Sequence, residues 1–169
     1  SQSMQFMDDS ERKKTGLIIT DCSEINRLGD IDGDFSDLDT FIIDHHKTSL
    51  ESVVNGYVNP QAPACAFIVQ LFYENLIGKL PTDVARIIFL GLATDTGYFR
   101  FLNSDSSDVF AAAGRLVSYG VEPRLIYNKI NNGKPFSTRK LLGVLLQKAE
   151  RYLDGRLIIT YESLEDTKR

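Results

Sequence analysis

The chain is poor in several residues that often reveal function from sequence alone. It has two histidines, two cysteines and no tryptophan among 169 residues. The cysteines, Cys22 and Cys65, have neither the paired spacing of metal ligands nor the density of a secreted disulfide scaffold. We therefore expect a protein of the reducing cytoplasm.

Positive charge and long apolar runs are also scarce. Nineteen basic residues stand against 23 acidic ones, which gives a net charge of −4. A protein that coats long duplex nucleic acid needs clustered basic residues. No apolar run reaches the roughly 18 residues that would span a bilayer, and the amino end is too polar for a signal peptide. These absences exclude long duplexes and membranes as partners, and leave open a small anionic substrate held by metal.

Two short, isoleucine-rich runs predict strands of a parallel sheet covered on both faces: TGLIITD at 15–21 and TFIID at 40–44. Each run ends in an aspartate, Asp21 or Asp44. The carboxyl ends of such strands border the ligand crevice in open parallel sheets. Both aspartates are therefore expected to face one crevice.

Helical spacing of apolar residues dominates from residue 60 onward. Pro near the start or Gly near the end delimits four helices, at 63–78, 81–95, 107–120 and 123–133. Ser137 looks like the cap of a longer helix over 137–153, and Asp154-Gly155 predicts a turn into a strand-like run, RLIITY. The pattern indicates an α/β fold with a Rossmann-like parallel sheet and flanking helices, which needs more strands than the two found.

Both histidines stand together in FIIDHHKTS, residues 41–49. Side chains alternate in direction along a strand end, so one of His45 and His46 could bind a metal while the other meets a substrate. Two simpler interpretations stay open: a histidine pair in a surface turn, or core histidines that are hydrogen-bonded to Asp44.

The segment GLATDTGYFRF, residues 91–101, ends an apolar helix in an aspartate. A carboxylate at the end of a buried helix is costly without a positive partner. Asp95 therefore needs a cation, an arginine or a capping role, and a left-handed Gly97 would explain only the turn. Arg100 could add positive charge near a phosphate or serve an ordinary surface role.

The acidic stretch DIDGDFSDLD, residues 30–39, resembles a calcium loop only superficially. An EF-hand that starts at Asp30 would need Gly at its sixth position and Glu at its twelfth. Phe35 and Phe41 stand there instead. We expect a solvated loop.

Taken together, these motifs resemble those of the DHH phosphoesterase superfamily. Its NrnA-like branch of nanoRNases and pAp phosphatases, which join a DHH domain to a DHHA1 domain, is the most similar in four segments: TDCSEINRLGD, FIIDHHKT, VNPQAPACAFIVQLFYE and GLATDTGYFRF. The resemblance runs from about residue 15 to the end of the chain. It implies a two-metal hydrolase of short oligoribonucleotides or of 3′-phosphoadenosine 5′-phosphate.

The resemblance also implies the metal and its ligands. Manganese is the usual ion, with magnesium as the alternative, and two carboxylates with one imidazole suit either. Asp21 resembles the carboxylate that bridges both ions, while His45 and Asp95 resemble ligands of one of them. A metal pair about 3.5–4 Å apart lowers the pKa of a bridging water, so no protein nucleophile is required.

Three further residues receive catalytic roles from the same resemblance. Asp44 would orient a histidine, His46 would lie against the substrate phosphate, and Arg100 would add positive charge beside it. Cys65 is not expected to be a nucleophile, since the metal site already explains both histidines. Ala64 and Cys65 stand where relatives carry small hydroxyl residues, which we attribute to packing.

Two parts of the family pattern are absent from the chain. They are the motif H-x-x-P-D-x-D, which supplies the other ion's ligands, and the glycine-rich loop of the DHHA1 domain. We therefore expect an internal fragment with no useful catalysis alone, in four parts: a polar segment 1–14, a truncated DHH domain 15–134, a connecting helix 135–153, and the first strand of a second domain 154–169.

The partner expected is short single-stranded RNA or a small nucleotide, and a homodimer is left open. The main alternative function is a non-catalytic module that binds nucleotide or phosphate and regulates a partner. Other enzyme classes in the superfamily are inorganic pyrophosphatase, cyclic dinucleotide phosphodiesterase and RecJ-like exonuclease. A dinucleotide oxidoreductase is set aside because no G-x-G-x-x-G follows either strand.

Overall fold

A parallel sheet forms from the two predicted apolar runs and a third short segment. The computed structural model describes residues 13–23, 27, 29, 38–50, 53 and 55–167. Its first sheet has the order β1-β2-β3, with β1 at Gly16–Thr20, β2 at Asp39–Asp44 and β3 at Gly56–Val58. Both strand pairs are parallel, so all three carboxyl ends lie at one edge. The predicted α/β class is confirmed.

Strand β3 belongs to the first sheet and was not found by the sequence analysis. It is only three residues long and its register pairs Ile43 with Tyr57. A segment this short has no periodicity of its own, and its pairing with β2 comes from tertiary structure. A 3₁₀-helix, Lys47–Leu50, lies between β2 and β3.

Four helices follow the sheet at the predicted places. They are α1 at Cys65–Leu76, α2 at Thr82–Asp95, α3 at Ser107–Ser118 and α4 at Pro123–Asn131. Proline marks two of the starts, because Pro81 precedes α2 and Pro123 is the first residue of α4. Proline fits a first helical turn, where an N–H would have no intrahelical acceptor.

The hydrophobic core lies between the sheet and helices α1, α2 and α3. Its most deeply buried members come from α2, α3 and the loops before α1 and α2: Ala64, Leu80, Ala85, Leu92, Ala93, Ala112 and Leu116. Helices α1 and α2 approach closely at Gly91, where an added Cβ would lie 2.9 Å from the Cβ of Ala66. Burial of this apolar surface is the main force that holds the sheet and helices together.

The chain divides into two units, residues 1–126 and 127–169. In the second unit, helix α5 at Phe136–Gln147 precedes a hairpin of β4 at Glu150–Tyr152 and β5 at Leu157–Ile159, and α6 at Leu164–Thr167 follows. The strands are antiparallel, and Thr160 Oγ1 donates to the carbonyl of Leu145 at 2.6 Å.

The second unit corrects part of the sequence analysis. The helix expected over 137–153 begins at Phe136 and ends at Gln147, and residues 150–152 form a strand. Positive φ angles at Leu153 and Asp154, followed by Gly155, turn the chain back into β5. The apolar spacing of the helix continues by coincidence into β4, so periodicity alone misplaced the boundary.

Some predictions fall outside the described residues. They concern the polar segment 1–12 and most of the acidic stretch 30–39. Within the described part of the chain, no helix is both long and apolar enough to cross a bilayer.

Candidate functional site

Asp21 follows the last residue of β1 in an unusual backbone conformation. Its φ angle is 61°, in the left-handed region that aspartate tolerates better than most residues. Its N–H donates to the carbonyl of Ile43 at 2.9 Å, so the residue stays tied to β2 while its side chain is half exposed. A non-glycine residue held in this region often marks a functional position.

Asp44, the last residue of β2, is almost fully buried, with 1% of its surface exposed. Its Oδ1 accepts hydrogen bonds from the N–H groups of His45 and His46, at 2.7 and 3.1 Å, and from Nδ1 of His46 at 2.7 Å. Its Oδ2 accepts from Ser49 Oγ at 2.5 Å. Burial alone would raise the pKa of Asp44, but these hydrogen bonds outweigh it and hold the pKa below its usual value.

The ring of His45 lies close to both predicted carboxylate ligands, Asp21 and Asp95. Its Nδ1 lies 3.1 Å from the carbonyl oxygen of Ala62, which can only accept, so Nδ1 carries the proton. The other ring nitrogen, Nε2, lies 3.3 Å from Asp21 Oδ1 and 3.8 Å from Asp95 Oδ2. The structure therefore brings together Asp21, His45 and Asp95, with the lone pair of Nε2 available to a metal.

Asp95 is the last residue of α2. Burial raises the pKa of its carboxyl group, and the nearby charge of Asp21 raises it further, although His45 and His46 act in the opposite direction. Two carboxylates that repel each other in this way are stabilised by a cation between them.

His46 lies beside Asp21 and His45, but its Nδ1 is already hydrogen-bonded to Asp44. Its ring centroid is 4.6 Å from that of His45, and its Nδ1 lies 3.8 Å from Asp21 Oδ1. By distance alone, Asp21, His45 and His46 also form a potential metal group, with ligand atoms within 4.8 Å of one another. Nδ1 of His46 donates to Asp44 and so cannot ligate a metal, which leaves Nε2 as the nitrogen of His46 that could do so, and Asp95 stays the predicted third ligand.

The segment directly after Asp95 is shaped by a buried threonine and three left-handed residues. Thr96 is buried, donates from Oγ1 to the carbonyl of Leu92 at 2.6 Å and accepts from the N–H of Phe99 at 3.0 Å. Gly97, Tyr98 and Phe99 all have positive φ angles. Three left-handed residues in succession turn the chain sharply away from the end of α2.

Arg100 is not brought into contact with the carboxylates or histidines by any described interaction. Its guanidinium carbon lies 4.7 Å from the centroid of the Phe101 ring, and the side chain is exposed. Its predicted role beside a phosphate stays a prediction.

Sequence reasoning missed two groups that orient the histidines. Ser49 bonds Asp44, and the backbone carbonyl of Ala62 bonds His45. Ser49 stands five residues after Asp44 in the segment FIIDHHKTS, so the sequence could have suggested that its hydroxyl lies near this carboxylate. The carbonyl of Ala62 has no sequence signature, because any residue would supply it.

Cys65 lies behind the site rather than in it. The thiol is buried and donates to the carbonyl of Ile43 at 3.2 Å. Burial raises the pKa of Cys65 to about 11, with nearby Asp21, Asp44 and Asp95 adding to the rise. A thiol in this state is a poor nucleophile.

The donor set fits a hard divalent ion. Carboxylate oxygens and one imidazole nitrogen suit manganese or magnesium, whereas zinc sites more often use thiolates. The imidazole is oriented by a second hydrogen bond, as metal-ligating histidines usually are. The repulsion between Asp21 and Asp95 gives a cation a favourable place to bind.

Comparison with known proteins gives a sequence relative and a fold relative. No protein-family model matches the sequence. The chain is 26% identical over 161 residues to a bifunctional oligoribonuclease and PAP phosphatase NrnA of Thermus thermophilus, which covers 93% of this chain and 48% of that protein. The chain thus spans about half the length of the curated relative that it matches.

The crystal structure of an exopolyphosphatase-related protein from Bacteroides fragilis has the same fold. The TM-score is 0.68 at 24% sequence identity, over 80% of this chain and 41% of that one. The chain is thus similar in sequence to a bifunctional oligoribonuclease and PAP phosphatase over nearly its whole length, and similar in fold to an exopolyphosphatase-related protein.

Proposed function

We propose that the protein containing this chain is a metal-dependent phosphoesterase that hydrolyses short oligoribonucleotides, 3′-phosphoadenosine 5′-phosphate or both. The observation that carries the proposal is the position of His45 Nε2, 3.3 Å from one carboxylate and 3.8 Å from another. The name of the Thermus thermophilus relative supports both substrates.

Asp21, His45 and Asp95 would hold manganese or magnesium. When bound, a pair of such ions lowers the pKa of a water molecule and stabilises the attacking and leaving oxygens of an in-line displacement. Phosphoryl groups carry negative charge that the two carboxylates would repel, so a cation in this site is also needed for the substrate to approach.

His46 would meet the substrate phosphate. Its side chain is 48% exposed while Asp44 fixes the opposite side of its ring. A histidine anchored in this way can donate from its outer nitrogen to a phosphate oxygen when it is protonated. Its backbone N–H and Nδ1 are both tied to Asp44, so the ring is oriented before substrate arrives.

The test is hydrolysis of pAp and of a diadenylate, side by side, by the manganese-loaded protein. Asp21→Asn and Asp95→Asn should lower kcat/KM by more than about 100-fold, and Asp105→Asn, in an exposed loop after Asn103, is the matched control. His46→Gln should raise KM for both substrates without changing manganese affinity. Normal turnover by Asp21→Asn would refute the assignment. Manganese and nucleotide binding without hydrolysis of either substrate would favour a non-catalytic binding module.

A further inference from the structure

The 3₁₀-helix after β2 places a buried hydroxyl directly on Asp44. Ser49 has 1% of its surface exposed, and its Oγ lies 2.5 Å from Asp44 Oδ2. The N–H of Ser49 donates to the carbonyl of His46 at 3.1 Å, which closes the turn that brings the hydroxyl back to the strand end. Ser49 thus sits on the side of Asp44 opposite to the histidines.

The two oxygens of the Asp44 carboxylate accept hydrogen bonds from different side chains. Oδ1 accepts from Nδ1 of His46 at 2.7 Å, and Oδ2 accepts only from Ser49 among the described hydrogen bonds. A carboxylate can rotate about its last side-chain torsion, because that torsion has broad minima. The N–H groups of His45 and His46 restrain this rotation at Oδ1, and the Ser49 hydroxyl restrains it at Oδ2, so that Oδ1 stays directed at Nδ1 of His46.

We propose that Ser49 is a positioning residue: through Asp44 it keeps Nδ1 of His46 as the hydrogen-bond donor to that carboxylate, and thereby holds the ring with Nε2 on the side that would face the substrate. This inference deepens the proposed function and rests on it for the kinetic part of its test. The chain of contacts runs from Ser49 Oγ to Asp44 Oδ2, and from Asp44 Oδ1 to His46 Nδ1. Nε2 lies across the ring from Nδ1, and the side chain as a whole is half exposed.

The rings of the two histidines are anchored by different partners, although both backbone N–H groups donate to Asp44. His45 donates from Nδ1 to the Ala62 carbonyl, and His46 donates from Nδ1 to a side chain that depends on Ser49. Loss of the Ser49 hydroxyl should therefore change His46 and leave His45 unchanged. This difference separates a positioning role from general loosening of the site, which would affect both rings.

Nitrogen NMR of ¹⁵N-histidine-labelled protein without metal tests the proposal, at a pH where both rings are neutral. His45 and His46 are assigned by difference spectra of the His46→Gln variant. The wild type should show the Nδ1–H tautomer for both rings. Ser49→Ala should shift His46 towards the Nε2–H tautomer with His45 unmoved. Ser49→Thr, which keeps a hydroxyl, should restore the wild-type spectrum of His46.

Ser118→Ala is the matched control, since that hydroxyl donates at 2.6 Å to the carbonyl of Arg115 in an exposed turn. A wild-type His46 that carries its proton on Nε2 would overturn the proposal, whether or not Ser49→Ala folds. An unchanged His46 tautomer in folded Ser49→Ala would also overturn it.

Kinetics with manganese and pAp complete the test. Ser49→Ala should lower kcat/KM by roughly 10–100-fold, the usual effect of losing a group that orients a site residue, with manganese affinity unchanged. The tautomer measurement needs neither metal nor turnover, so failure of the proposed hydrolysis would leave it intact. An altered tautomer with unaltered kcat/KM would overturn the role in substrate handling.

Discussion

The Nε2 atom of His45 lies 3.3 Å from Oδ1 of Asp21. The two side chains come together because each follows the carboxyl end of one of two neighbouring parallel strands, β1 and β2. Each residue follows or ends an apolar strand, and the parallel register pairs Thr20 with Ile43 just before them. The sheet therefore supplies two of the three proposed ligands, while the end of α2 supplies Asp95.

Replacing Asp95 should weaken metal binding and, in the absence of metal, stabilise the fold. Asp95→Asn removes a proposed ligand, so manganese affinity measured by calorimetry should fall by at least about 10–100-fold. The same change removes a partly exposed carboxylate whose pKa is raised by partial burial and by the charge of Asp21. The metal-free variant should therefore be more stable to urea by roughly 0.5–2 kcal/mol.

Asp105→Asn provides the comparison for both measurements. Its carboxylate lies in an exposed turn, and neither affinity nor stability should change appreciably. If Asp95→Asn bound manganese as tightly as the wild type, Asp95 would not be a ligand.

The sequence predicted the α/β class, four helices and the turn at Asp154-Gly155 into β5, because long apolar spacing and turn residues are local signals. The resemblance to the DHH superfamily selected Asp21, His45 and Asp95, and the structure brings these side chains together, while their role as metal ligands stays a prediction. Asp44 was predicted to orient a histidine, and its hydrogen bond to His46 has that form. In contrast, β3 was missed and β4 was taken as the end of a helix, because three-residue strands have no periodic signal and are specified by their neighbours.

Gly97 should be the least replaceable glycine near the site. Its φ angle is 57°, and an added Cβ would lie 2.4 Å from the Phe101 ring. Gly97→Ala should destabilise the protein by about 1–2 kcal/mol from the backbone alone, and more where Phe101 must move. Urea unfolding monitored by circular dichroism measures the change.

Gly114, within α3, is the matched position for that experiment, because an added Cβ there meets nothing within 4 Å. Gly114→Ala should stabilise the protein by about 0.5–1 kcal/mol, as alanine does in a helix interior. Equal effects at the two glycines would contradict the structure around Gly97.

Cys65 should be chemically inert in the folded protein. With a pKa of about 11, only about 0.1% of the thiol is ionised at pH 8, and the thiolate is the reactive form. Alkylation by iodoacetamide, followed by mass spectrometry, should be slow at Cys65 until urea unfolds the chain. Cys65→Ser, which keeps a donor for Ile43, should retain manganese-dependent hydrolysis. Loss of hydrolysis in a normally folded Cys65→Ser variant would indicate that Cys65 is a nucleophile, contrary to the expectation from the sequence.

Glu74 should make the stability of the α1–α3 interface depend on pH. Its Oε2 accepts from Nε and Nη2 of Arg115 at 2.9 and 2.8 Å, and its Oε1 accepts from Gln70 at 3.0 Å and Tyr119 at 3.2 Å. Burial alone would raise the pKa of Glu74, but the hydrogen bond from Arg115 and the other donors hold it below 4.5.

A carboxyl group whose pKa is lower in the folded than in the unfolded protein stabilises the fold above its unfolded pKa, which is 4.5 here. That contribution disappears as the pH falls through the folded pKa. Glu74→Gln should therefore cost about 1.5–3 kcal/mol at pH 7, and the difference from the wild type should shrink progressively below pH 4.5. Urea unfolding of both proteins from pH 7 to pH 3 measures it. A Glu74→Gln penalty that grew as the pH fell would contradict the ion pair with Arg115.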